Sequence, residues 1–285
     1  MSNFVRERRN ARRLRHSAVS WLEPWSRDIA AKKIEVSCML DRLRFARFLM
    51  RLLAVGALCT PAFSFAQKAV SIPEEIEWTW EVRPAHADPH LPNVLLLGDS
   101  ISRAYFPEVT KDLADVANVY LMASSTSVGD PRLPLQIAEF AKLENVSFQV
   151  VHFNNGMHGW GYTEQQYQAA FPAFLKAVHA IAAKGAPLIW ANTTPVRADA
   201  SEGATNPRID ARNVIALTLV RTADIAIDDQ HTLMMNHGDL HQDPVHFNEA
   251  GAKLQGDQAA EIIRAALGST ASKSLRRGCD GGAAY

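Results

Sequence analysis

The chain is poor in cysteine, lacks a glycine-rich phosphate loop and an internal repeat, and has no net charge. Each lack removes a class of protein. The cysteines are Cys38, Cys59 and Cys279, and the first two precede or fall within a segment expected to be removed. Cys279 would then stand alone, which excludes an internal disulfide framework and leaves the core to hold itself. Neither G-x-x-x-x-G-K nor G-x-G-x-x-G occurs, so nothing signals a nucleotide site.

The zero net charge hides an uneven distribution. Residues 1–51 carry thirteen Lys or Arg against five acids, so the rest of the chain carries eight more acids than bases. The basic excess falls in the part expected to be lost. The remainder is acidic, which argues against nucleic acid as a partner.

A long apolar run is also missing. From Met39 the chain reads MLDRLRFARFLMRLLAVGALCTPAFSFAQ: an arginine-rich start, an apolar stretch from Leu52 to Leu58, and small residues before Ala66. This is the layout of a secretory signal peptide over 39–66, too short for a comfortable permanent span. It predicts a secreted or periplasmic protein with no stable membrane anchor after cleavage. Residues 1–38 then read as an upstream extension or a basic tail. A single anchor oriented by its positive charges is the other reading. Leu58 before Cys59 argues against lipid attachment.

What the chain does contain is an ordinary globular composition, 47% hydrophobic and 21% charged, enough for one main domain. Residues 67–91 form a lead-in, 92–267 the domain, and the small, polar stretch 268–285 a tail expected to be disordered. Within the domain, short aliphatic runs alternate with amphipathic stretches. Strands are predicted at 94–97, 118–122, 148–153, 187–191 and 224–227, and helices near 102–115, 131–143, 164–184, 208–222 and 248–267. Continuous apolar strands joined by helices predict a five-stranded parallel sheet covered on both faces, an α/β fold of three layers. Ligands bind such sheets beyond the strands' carboxyl ends.

Three polar clusters lie there. Gly98-Asp99-Ser100 ends the first strand and opens a helix, whose N-terminus offers N–H groups and a positive dipole end to a nascent oxyanion. Helix capping by Asp99 or Ser100 accounts for that stretch equally well. Asp243 precedes His246 by three residues, so the carboxylate can fold back on one imidazole nitrogen and leave the other free. Asn154-Asn155-Gly156 follows the third strand, where a side-chain amide can serve an oxyanion.

Together, Gly98-Asp99-Ser100-Ile101, the Asn154 segment and Asp243-x-x-His246 resemble the motif blocks of the SGNH, or GDSL-type, hydrolase superfamily, over roughly residues 92–267. The resemblance implies a three-layer flavodoxin-like fold and cofactor-free ester hydrolysis without metal. Ser100 would be the nucleophile, His246 the general acid and base, Asp243 its orienting partner, and Asn154 an oxyanion donor beside the Ser100 backbone. Two departures stand out. His152 and Phe153 occupy positions where the family favours glycine, and the only glycine after the second strand is Gly129, taken as the further oxyanion donor.

Asn155, His158 and Thr193 are placed as substrate-binding residues near the strand ends, and packing explains them as readily. Trp160, Tyr162 and Thr194 lie close by, and Trp78 and Trp80 precede the first strand. His231, His237, His241 and His246 do not have zinc-site spacing, because Gly238 and Asp239 favour a loop. The expected partner is a small-molecule or carbohydrate ester, acetyl esters first. A lipid ester or thioester hydrolase and a non-catalytic carbohydrate-binding protein are the other readings.

Overall fold

The computed structural model describes residues 70–280 apart from 199, 201 and 202. The expected signal segment and upstream extension lie outside the described residues.

Six strands form one sheet: β1 (Thr79–Val82), β2 (Asn93–Gly98), β3 (Asn118–Ser124), β4 (Val150–Phe153), β5 (Leu188–Ala191) and β6 (Ala226–Asp228). Their order is β1-β3-β2-β4-β5-β6. β2 to β6 are parallel, and β1 pairs antiparallel with β3, from Thr79 opposite Ser124 to Val82 opposite Leu121. The five parallel strands follow the flavodoxin-like order, which puts the topological switch point at the carboxyl ends of β2 and its neighbours. The expected five-stranded sheet thus gains an edge strand from the lead-in.

Helices α1 (Ser100–Asp112), α2 (Leu133–Glu144), α3 (Glu164–Ile181), α4 (Asn206–Thr222), α5 (Gln230–Met235) and α6 (Glu249–Asp280) complete the described chain. Strand side chains alternate between two cores, as a period of two demands. Leu95, Leu97, Val151, Phe153 and Trp190 pack with Ile137, Phe171, Phe174 and Val220 of α2, α3 and α4. Val94, Leu96, Val119, Leu121 and Ile189 pack with Tyr105 and Val109 of α1 and Ala259, Ala260 and Ile263 of α6. Three layers result.

α6 runs through Asp280, where a disordered tail is expected from 268 onward. No helix among the described residues is long and apolar enough to cross a membrane.

Candidate active site

β2 delivers Ser100 to the crevice. Val94 to Leu97 are buried in the sheet, and the strand ends at Gly98, where a Cβ would run into the Ser102 side chain. Asp99 is buried and accepts from Ile101 N at 2.9 Å, capping α1. Capping and presentation of the hydroxyl therefore coexist: Asp99 holds the turn, and Ser100 begins the helix partly exposed.

The partner arrives on the loop before α6. Asp243 Oδ1 accepts from Val245 N at 2.8 Å and His246 N at 2.7 Å, and its Oδ2 lies 2.8 Å from His246 Nδ1. Gln242 N donates to His246 O at 2.9 Å, closing the turn, and His241 packs its ring 4.1 Å from that of Phe247. His246 Nε2 then stands 2.8 Å from Ser100 Oγ across 146 residues of chain. Burial raises the Asp243 carboxyl, but the N–H groups of His246 and Val245 and the imidazole outweigh it, holding it below its ordinary value. An anionic Asp243 keeps the imidazole proton on Nδ1 and the lone pair on Nε2, facing the hydroxyl.

The residues expected around this chain divide. Asn154 continues from β4 into the crevice beside Gly98, and its Nδ2 donates to Ala191 O at 2.7 Å and Thr193 Oγ1 at 3.4 Å. Asn155 does not reach substrate: it is buried, accepts from Val128 N at 2.8 Å and donates to Thr126 O at 3.0 Å, tying two loops together. Thr193 is likewise buried and internal, its N–H donating to Asn213 and its carbonyl accepting from Asn213 and facing His231. Gly129 is glycine because a Cβ would meet the Tyr162 ring at 2.5 Å, a packing reason that requires no oxyanion role. His158 has its Nδ1 against Glu74 and its Nε2 buried, so neither nitrogen is open to a substrate from solvent.

Packing also claims Tyr162 and Trp160. The Tyr162 hydroxyl accepts from Ile72 N and lies 3.3 Å from Asp130, while Trp160 stacks under Arg212, 4.1 Å from the guanidinium carbon. Arg212 itself is buried and donates to the carbonyls of Gly156, His158 and Gly159 at 2.7 to 3.1 Å. Burial pulls its pKa down to about 10. This cation pins the loop after β4, and its spacing carries no sequence signal. Arg103, one turn along α1 from Ser100, lies over Trp78 and Trp80 at 5.6 and 4.9 Å.

His152, at a position where the resembling family favours glycine, has a structural role. Its Nε2 is 2.8 Å from Asp228 Oδ2 in the core, and Asp228 also accepts from Gln230 and Gln258.

No protein-family model and no curated protein matches the sequence. Solved structures do match the fold. A carbohydrate esterase family 3 protein from Talaromyces cellulolyticus is 16% identical, with 63% of this chain and 99% of that one covered at a TM-score of 0.50. The chain shares that esterase's fold, a mostly parallel sheet with helices on both sides. A member of the lipolytic G-D-S-L family from Veillonella parvula is 18% identical, covering 60% of this chain and 97% of that one at a TM-score of 0.49. The acetylxylan esterase Axe2 from Geobacillus stearothermophilus is 13% identical, covering 62% and 94% at 0.48. At these identities the SGNH likeness concerns architecture, and the chemistry rests on the side chains.

Proposed function

We propose that this protein is a serine ester hydrolase whose nucleophile is Ser100. One observation carries the reading: Ser100 Oγ, His246 Nε2, His246 Nδ1 and Asp243 Oδ2 form an unbroken chain of 2.8 Å contacts at the strand ends. As Ser100 Oγ attacks the ester carbonyl, His246 Nε2 takes its proton. Collapse of the tetrahedral intermediate passes that proton to the leaving alcohol and leaves an acyl group on Ser100. Water then loses a proton to Nε2 as it attacks the acyl carbonyl, and that proton passes to Ser100 Oγ as the acyl–oxygen bond breaks and the acid leaves. The Ser100 N–H at the start of α1 and the Asn154 amide would receive the oxyanion.

Small acyl groups, acetyl first, on a carbohydrate alcohol are the substrate class we favour. A carbohydrate esterase shares the fold. Export follows from the arginine-rich, then apolar, segment 39–66.

The test measures p-nitrophenyl acetate hydrolysis by the purified protein and by Ser100→Ala. Loss of about 10⁵-fold or more in kcat/KM is expected for the variant; equal rates would remove the nucleophile. p-Nitrophenyl decanoate and acetylated xylan then rank the alternatives. Preference for the long chain would favour a lipid esterase.

A further inference from the structure

α1 begins at Ser100 and α6 three residues after His246, and the space between the two helices has no part in the reaction above. They touch where Gly256 faces α1: a Cβ there would come within 2.7 Å of the Glu108 Cβ. Toward Ser100 a groove opens, with Ala104, Pro107 and Glu108 on one wall and Asn248, Ala252 and Lys253 on the other, and it holds about 390 Å³. That lies within the range of about 300–1,000 Å³ usual for ligand pockets. Gln242 and Phe247, from the loop that carries His246, complete the lining. Ala104 is exposed and stands one turn from Ser100 on the same side of α1, as an i, i+4 pair must. The groove therefore starts next to the reacting hydroxyl.

The reaction decides which part of a substrate belongs there. When the tetrahedral intermediate collapses, the bond from the carbonyl carbon to the bridging oxygen breaks, and that oxygen takes the proton from His246 Nε2. The alcohol must therefore lie on the His246 side of Ser100, where residues flanking that histidine line the groove. The cavity beside Asn154, walled by Ile101, Thr193 and Gln230, measures about 10 Å³, room for about one water-sized group and too little for a sugar.

The lining of the groove suits hydroxyl groups. Gln242 is exposed and held by its backbone, whose N–H donates to His246 O at 2.9 Å, while its side-chain amide makes no hydrogen bond among the described residues. Asn248 Oδ1 accepts from Gly251 N at 3.1 Å, which fixes the side chain and leaves Nδ2 over. Phe247 is buried, and Gly251 is glycine against it because a Cβ would lie 2.7 Å from the Phe247 Cβ. Charge selects as well: the lining carries Glu108 and Glu249 against Lys253, and Lys253 Nζ is already 2.7 Å from Asp257 and 3.1 Å from Glu108. No cation of the lining is left for a substrate carboxylate.

We propose that the groove between α1 and α6 is the subsite for the alcohol part of the ester, that this alcohol is a neutral sugar, and that the Gln242 and Asn248 amides bind its hydroxyls. The inference rests on reading Ser100 as the nucleophile. The sugar hydroxyls are bound alike before and during the reaction, so the two amides act on substrate affinity and on the choice among alcohols rather than on the chemical step. A uronic acid presents the same ring with a carboxylate added, and Glu108 and Glu249 oppose it.

The experiment compares kcat/KM for three acetate esters: an acetylated methyl xyloside, the acetylated methyl glucuronoside that adds a carboxylate to the same ring, and methyl acetate, whose alcohol is too small to fill the groove. Each is assayed with the wild-type protein, Gln242→Ala and Ala104→Trp. We expect the wild type to favour the xyloside over both other esters. Ala104→Trp, whose ring would occupy the groove, should lower the ratio of xyloside to methyl acetate about tenfold or more. Gln242→Ala should lower it about two- to tenfold, through a higher KM for the xyloside. A ratio unchanged in both variants, or a wild type that favours the glucuronoside or methyl acetate, overturns the subsite. If Ala104→Trp does not fold, Gln242→Ala decides. Should Ser100→Ala hydrolyse methyl acetate at the wild-type rate, the hydrolase reading fails whatever these ratios show; an inactive Ser100→Ala with unmoved ratios sinks the subsite alone.

Discussion

Two of the carboxylate–imidazole pairs stand in opposite settings, and their difference shows what leaves an imidazole nitrogen free. Asp243 and His246 sit three residues apart on a loop, their side chains 43% and 32% exposed. His152 and Asp228 lie 76 residues apart and almost wholly buried between β4 and β6. In the loop, the carboxylate is satisfied by its own turn and the imidazole keeps one nitrogen for a hydroxyl. In the core, the carboxylate is shared among His152, Gln230 and Gln258, a closed network that ties the sheet to α5 and α6. The first arrangement can pass a proton and the second fixes geometry.

The contrast is sharpest when each carboxylate is removed. Asp243→Asn should lower kcat about 10⁴-fold by losing control of the imidazole tautomer, while the denaturation midpoint barely moves. Steady-state rates and urea unfolding of the same preparation check both halves. Asp228→Ala should do the reverse. It leaves the His152 imidazole and the Gln258 amide without their partner, and Gln230 with the Gln255 carbonyl alone, at a cost of about 3–5 kcal/mol in unfolding free energy, while the molecules that remain folded turn over within a few-fold of the original. A large rate loss in the folded fraction would break the distinction. Asn154→Ala stands between the two settings and should lower kcat about 10²- to 10³-fold if its amide meets the oxyanion. Unchanged kcat with reduced stability would assign Asn154 to its bonds with Ala191 and Thr193 alone.

How much of this the sequence revealed follows from the range of each interaction. β2 to β5 carry apolar runs, so their order in the chain and their burial were legible, whereas β6 is three residues long and only Asp228 in it is fully buried. β1 was not, because Trp78 and Trp80 alternate with Thr79 and Glu81 on a half-exposed edge and resemble a polar lead-in. Asp243-x-x-His246 was legible because one turn contains the whole pair, and Ser100 because a strand leads straight into it. The internal duties of Asn155 and Thr193 depend on Thr126, Val128 and Asn213, partners that no local pattern indicates. Glu74 with His158, and Asp228 with His152, are matched only by folding.

The antiparallel β1 also decides where this protein can be cut. A truncation at the motif boundary near residue 92 would leave all the recognisable blocks intact, yet it would strip the strand that covers β3. The uncovered ladder is a template for another chain, and such edges promote self-association. The same cut would take away Glu74 and the Ser71 and Glu77 contacts to Asp130 and Arg132. Any processing site that yields a well-behaved product must therefore lie upstream of Ser71.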